Sequence, residues 1–434
     1  MNLYMVSLGC SKNRVDSEMI LGVLKNDFEL VDDIKASDLI IVNTCAFIES
    51  AKKEAIDTIL DISEEKNKDT KLVVCGCLSQ RYKDDLVKLL PEVDRFITID
   101  EYGNIGKIIS SMFKSDINQY SEFSPLNKIY TTPDYYRYIK ISEGCLNRCA
   151  FCAIPLIRGK LKSRTIDDIV AEVKKVIADG TYEINLISQD TTKYGYDLEK
   201  RLMLVDLLKE LVKIEGDFKI RLLYLYPEVV TDELIDFIKN NDKMMHYFDI
   251  PIQHSEDKIL KYMFRRSNKE LITNLFKKIK SEIPDSIIRT TLIVGFPYEE
   301  ESDVTNLVDF INEMKIDRLG AFTFSLEEGT KACEYPNTIS EDEKNKRYEM
   351  VMESQSKIAL ELNERYLNKV LDDCFITGYD SESYLYIARN YMYAPDDIDG
   401  AIFVASTKEL NLGERIKVKI VDCDSYSLTG EMVE

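Results

Sequence analysis

The chain has 434 residues, enough for about two to four domains with sizeable cores, and its 45% hydrophobic and 31% charged residues are those of a globular protein. The longest apolar runs, such as Leu39–Val42, fall far short of a membrane span, and Met1–Cys10 lacks the regions of a secretory signal, so a cytoplasmic chain with no membrane partner is expected. The balance of 57 basic against 77 acidic residues gives a net charge of -20, which repels phosphate backbones on average and favours basic partners, while 2 His and no Trp speak against His-rich zinc sites and Ser/His/Asp chemistry.

From Leu3 to about Asp100, short apolar runs at Leu3–Leu8, Leu39–Val42, Leu72–Val74 and Arg95–Ile99 alternate with helical periodicity near Asp16–Leu24, Ser50–Leu60 and Asp84–Leu90. Apolar strands separated by crossover helices predict an α/β fold with an open parallel sheet, assigned to residues 1–118. The polar stretch Gln119–Pro133, with two Pro and no clear period, reads as a linker. A second alternation fills residues 131–362, with strands expected at Tyr138–Ser142, Tyr182–Ser188, Phe218–Leu225, Tyr247–Ile252, Ser286–Val294 and Arg318–Phe324. In Thr165–Ala178, the residues Ile166, Ile169, Val170, Val173 and Ile177 share one helical face behind a Thr165 N-cap. Six right-handed strand–helix units make three quarters of a (β/α)8 barrel, a partial (β/α)6 barrel whose gap would admit a large substrate. After a charged helix over Ser340–Leu367, short strands at Cys374–Tyr379, Tyr384–Arg389, Ala401–Ala405 and Arg415–Cys423 predict a small all-β, barrel-like domain at 364–434, which holds seven basic and fourteen acidic residues.

In a reducing compartment, 10 Cys point to metal or catalytic roles rather than disulfides. The strongest signal is Cys145, Cys149 and Cys152, spaced Cys-x-x-x-Cys-x-x-Cys directly after the first barrel strand. Three thiolates on a tight loop can hold three irons of a cubane cluster and leave the fourth open, at the strand end where such barrels place chemistry. Cys10, Cys45 and Cys77 follow three successive strands at separations of 35 and 32 residues. One βαβ unit takes roughly 30 residues, so their loops should emerge side by side at the carboxyl edge of the sheet. Cys75, two residues before Cys77, would point the same way in a strand and is a rival ligand. Cys333, Cys374 and Cys423 lack partners at ligand spacing and read as packed thiols.

The stretch Glu143-Gly144-Cys145-Leu146-Asn147-Arg148-Cys149-Ala150-Phe151-Cys152 resembles the radical S-adenosylmethionine (SAM) enzymes. With Ser7-Leu8-Gly9-Cys10-Ser11-Lys12-Asn13, Asn43-Thr44-Cys45 and Gly76-Cys77-Leu78-Ser79-Gln80, the whole chain is similar to the radical SAM methylthiotransferases. That resemblance implies an N-terminal domain with an auxiliary 4Fe-4S cluster on Cys10, Cys45 and Cys77, preferring Cys77 over Cys75. It also implies a second 4Fe-4S cluster on Cys145, Cys149 and Cys152 that binds SAM, and a C-terminal TRAM domain of OB-like form. The segments Val6–Glu18, Cys45–Ala51, Cys152–Lys160 and Ala394–Gly400 resemble the branch that modifies small-subunit ribosomal protein number twelve. This implies methylthiolation of an aspartate β-carbon, a basic protein substrate met free or on the ribosome, and an electron donor. The acidic C-terminal domain fits that reading better than tRNA, although a tRNA adenosine methylthiotransferase is the alternative. Ser188, Gln189 and Asp190 end the second barrel strand and Gly295-Phe296-Pro297 the fifth; in the family such ends line the SAM pocket. Arg265 or Arg266 could meet the carboxylate of SAM or of a substrate, and His246 and His254 read as structural.

Overall fold

The computed structural model describes residues 1–113, 121–336, 338–396 and 398–433. The expected domain end at residue 118, the first residues of the Gln119–Pro133 stretch, Asp397 of the Ala394–Gly400 segment and the last residue of the chain lie outside the described residues.

The N-terminal sheet contains β1 (Asn2–Ser7), β2 (Glu29–Leu30), β3 (Leu39–Thr44), β4 (Lys71–Gly76) and β5 (Arg95–Ile97), in the order β2-β1-β3-β4-β5. Each pair is parallel. Helices cover both faces, which is why β3 is buried at every residue and reads as a continuous apolar run. The register pairs Ser7 with Asn43 and Thr44 with Gly76, so the chain leaves β1, β3 and β4 at one edge. From that edge start α1 (Ser11–Leu24), α2 (Glu49–Glu65) and α3 (Cys77–Leu89). The two-residue β2 is too short to carry a periodicity signal and went unseen in the sequence.

The second sheet follows chain order: β6 (Tyr136–Lys140), then, after the small hairpin β7 (Ser142–Glu143) and β8 (Lys162–Ser163), β9 (Glu183–Ile187), β10 (Lys219–Leu222), β11 (Met244–Asp249), β12 (Ile287–Val294) and β13 (Arg318–Thr323). These six parallel strands form the expected three-quarter barrel. Thr165 caps its helix as predicted, accepting a hydrogen bond from the backbone of Asp168.

One sequence expectation is overturned. The described part of the Gln119–Pro133 stretch is not a free linker. Ile129 and Thr131 donate backbone hydrogen bonds to Glu18 of α1, and a buried Lys128 ammonium lies 2.5 Å from the Glu172 carboxylate, so this polar segment is wedged between the two domains. The barrel is covered at one end. The third domain closes β14 (Val370–Asp380), β15 (Leu385–Arg389), β16 (Ile402–Ala405), β17 (Arg415–Cys423) and β18 (Leu428–Val433) into a barrel in the order β14-β15-β16-β18-β17. Its β15–β16 connection pushes Met392, Tyr393 and Ala394 against Tyr136, Tyr138, Met245, Tyr247 and Ile287 at the end where the six strands begin. Asp396 accepts hydrogen bonds from Tyr136 (2.8 Å) and Tyr138 (2.7 Å) and pairs with Arg14 of α1, while Asp399 takes Tyr247 (2.5 Å) and Arg289 (3.0 Å). One mouth of the barrel is therefore plugged, and access is left to the other. Among the described residues no helix is long and apolar enough to cross a membrane.

Candidate active site

Each of the two cysteine trios is brought together. At the N-terminal edge Gly9 adopts φ +89, and a Cβ there would stand 2.7 Å from the Cβ of Cys45; the absent side chain lets the Cys10 turn lie against the Cys45 turn. Gly76 (φ +95) ends β4 and starts α3 at Cys77. This separates Cys77 from its rival Cys75. Strand alternation stops at Gly76, so Cys75 stays in the core beside Tyr102 and Ile97, whereas Cys77 heads a helix next to Cys10 and Cys45. The Cys77 thiol lies 3.5 Å from Asn13 Oδ1, and Asn13 Nδ2 donates to the carbonyls of Leu8 and Thr44, lacing the three turns together.

At the open mouth of the barrel, Cys145, Cys149 and Cys152 lie on the loop between β7 and β8. Gly144 (φ +73) allows the chain to approach Lys160, and the Cys145 N–H donates to Gly159 O. All six thiols are unbridged. Burial pushes Cys45 up to about 12, with Cys77 and Cys10 adding to it, and pushes Cys145 up to about 11; Cys152 rises through burial and its neighbour Cys149. Buried thiols of this kind ionise when a metal group supplies the compensating positive charge. Among the described residues no trio of His, Cys, Asp or Glu closes to single-ion spacing. Ligands at about 2.3 Å from one centre stand closer together than thiolates on separate corners of a cubane.

A cleft of about 340 Å³ opens beside Cys149, lined by Asn147, Arg148, Tyr226, Glu228, Arg265 and Arg266 among others. Arg265 is buried, stacks over the Tyr226 ring at 4.2 Å, donates to Pro251 O and lies 3.9 Å from both Cys149 Sγ and Glu228. Its Nε and the Glu228 Oε2 are buried without a hydrogen-bond partner, so a cationic donor and an anionic acceptor are left for a ligand carrying both charges. Arg266 is exposed at the rim. Behind the loop, Asp190 Oδ2 accepts from Asn147 (2.7 Å) and Gln189 donates to Glu143 (2.6 Å), so both residues brace the cysteine loop. Burial raises the Asp190 carboxyl against the pull of Thr192 and Lys193. Ser188 turns back on its own strand end, accepting from Asp190 N, and Gly295 makes room for Lys344 Cγ, which a Cβ would approach to 2.4 Å.

His254 is buried, accepts from Glu256 N and faces Glu299 at 3.4 Å, and His246 pairs with Asp285 on the surface. Tyr226, Glu228 and Asn147 were missed by sequence reasoning. Tyr226 and Glu228 follow the short β10, and strand-end position alone could have flagged them.

Residues 2–98 match the uncharacterized protein family UPF0004, 139–311 the radical SAM superfamily and 372–433 the TRAM domain. The chain is 45% identical to the ribosomal protein uS12 methylthiotransferase RimO of Acetivibrio thermocellus, covering 99% of this chain and 97% of that one. It is 46% identical to its Clostridium botulinum namesake, over 98% and 97%. The chain belongs to the RimO family. Its fold is shared with the radical SAM methyltransferase TsrM of Kitasatospora setae, at a TM-score of 0.57, 14% identity and 76% coverage of each chain. Membership of the radical SAM superfamily implies SAM and a 4Fe-4S cluster as cofactors of this RimO relative, and the donor set fits both: three thiols at the mouth and an orphaned Arg265–Glu228 pair in the cleft.

Proposed function

We propose that this chain replaces a carbon–hydrogen bond on the β-carbon of an aspartate in ribosomal protein uS12 with a methylthio group, in the cytoplasm, using two SAM molecules, two 4Fe-4S clusters and an external electron donor. Cys145, Cys149 and Cys152 would hold the SAM-binding cluster, and Cys10, Cys45 and Cys77 the auxiliary one. When bound, these groups supply the radical that opens the bond and the sulfur that fills it.

The protein's part is placement and exclusion of water. Arg265, whose Nε has no hydrogen-bond partner, would hold the SAM carboxylate, and Glu228, whose Oε2 has none, would accept from the SAM amino group. Tyr226 stacks beneath Arg265 and holds it. Gln189, Asp190 and Asn147 fix the loop that carries the cluster ligands. Arg148 and Arg266 at the rim are suited to the acidic side chain that is to be modified.

The observation that carries this reading is the presence of two separate cysteine trios, one from each domain, on either side of one interface. Anaerobic reconstitution followed by mass analysis of uS12 tests it. A gain equal to exchange of H for SCH3 on one aspartate is expected; modification of tRNA adenosine with uS12 unchanged would overturn it.

A further inference from the structure

Arg158 belongs to the barrel by its backbone and to the N-terminal domain by its side chain. The neighbouring Gly159 carbonyl accepts the Cys145 N–H. The guanidinium crosses the interface, donating to Asn13 Oδ1 (2.6 Å) and Asp16 Oδ2 (2.6 Å) on one face of α1, to Cys77 Sγ (3.4 Å) and to Glu143 Oε2 (3.2 Å). Lys140 bridges the same two carboxylates, at 2.5 Å from Asp16 and 2.6 Å from Glu143. Two cations and two anions thus form a balanced ring, set between a ligand candidate of one trio and the residue two before Cys145 in the other. Among the described residues no other cation hydrogen-bonds to Cys10, Cys45 or Cys77.

We propose that Arg158 is a positioning residue that locks the two cysteine sites in register and raises the reduction potential of the cluster held by Cys10, Cys45 and Cys77. Reduction adds one electron, and so one negative charge, to a group already carrying thiolates. A buried guanidinium that donates to a ligand sulfur stabilises that added charge. Removing Arg158 does two things of the same sign: it deletes the donor and leaves the ring net negative. Neutralising Asp16 does the reverse, leaving the ring net positive. Opposite shifts from two neighbouring substitutions are what a field effect gives and what mere loosening of the interface does not.

The inference rests on the proposed ligand role of Cys10, Cys45 and Cys77. The test uses the full chain in the C145A/C149A/C152A background, which leaves that site alone to be read by iron counting and by a redox titration monitored by electron paramagnetic resonance. Arg158→Met should move the midpoint to more negative potential, Arg158→Lys less far, and Asp16→Asn to more positive potential. In the mirror C10A/C45A/C77A background, Arg158→Met should move the remaining cluster less, because the guanidinium touches none of its sulfurs. Midpoints that stay at the parent value, or that move in the same direction in Arg158→Met and Asp16→Asn, overturn the inference alone. A background protein that holds no cluster overturns the ligand assignment, and the inference with it. Where Arg158→Met cannot hold iron, Arg158→Lys and Asp16→Asn must still bracket the parent midpoint, and both coinciding with it sinks the idea.

Discussion

At the scale of single residues, the cleft turns on Arg265. Burial opposes its charge, but Tyr226, Cys149 and Glu228 more than offset the cost, so the guanidinium stays protonated and presents a donor with no protein partner. A hydrogen bond to a charged group contributes about 1.5–3 kcal/mol, roughly a tenfold to hundredfold change in affinity. Arg265→Ala should weaken SAM binding by that range, read by equilibrium binding to the reconstituted protein, with the iron content unchanged. Arg265→Lys should recover only part of it, because an ammonium keeps the charge but loses the planar fork and the stacking over Tyr226. Equal affinity of wild type and Arg265→Ala would remove Arg265 from the binding site.

At the scale of elements, the decisive feature is a glycine between strand and helix. Gly76 holds φ +95, and a Cβ there would meet Asn43 Oδ1 at 2.3 Å and Thr44 O at 2.5 Å, both in the paired strand β3. Gly76→Ala should therefore displace the start of α3 and with it Cys77, while the loop of Cys145, Cys149 and Cys152 is untouched. The reconstituted variant is expected to hold about half the wild-type iron, since one of the two proposed clusters would be lost. Full iron content would show that Gly76 does not set the position of Cys77. The element boundary also explains what the sequence could and could not disclose. Spacing placed three cysteines at one sheet edge, because a βαβ unit has a nearly fixed length. It could not separate Cys75 from Cys77, because alternation applies only while the strand lasts, and the glycine that ends it is recognised by its backbone angle. Arg158 was equally opaque. It lies 81 residues from Cys77 and 145 from Asn13 in no periodic relation to either, and only the folded interface brings the three together.

At the scale of the whole molecule, the third domain serves as the floor of the barrel. Its existence as a small β-barrel was legible, since short alternating strands between Gly and Asp turns need no tertiary knowledge. Its docking was not legible, because an acidic surface gives no hint of which carboxylates turn inward, and Asp396 and Asp399 look in sequence like any solvated pair. The junction is sealed by Glu183, the first residue of β9, which accepts from Arg221 of β10 (2.8 Å) and from Arg389 of β15 (2.5 Å), while Arg221 also donates to the carbonyls of Tyr391 and Tyr393. Burial raises the Glu183 carboxyl, but Arg389 and Arg221 outweigh it and hold it below the usual range. With the folded value below the unfolded one of about 4.3, the stabilisation is present in full above that value and is lost as pH falls through the folded value. Breaking one partner of such a buried pair costs about 3–5 kcal/mol, so Glu183→Ala should lower the midpoint of denaturant unfolding at neutral pH by a corresponding amount. The gap between wild type and Glu183→Ala should then narrow as the medium is acidified below the ordinary glutamate range, because the wild type loses there what the variant never had. A gap that stays constant down the acid limb would mean that the carboxylate does not hold the third domain against the barrel.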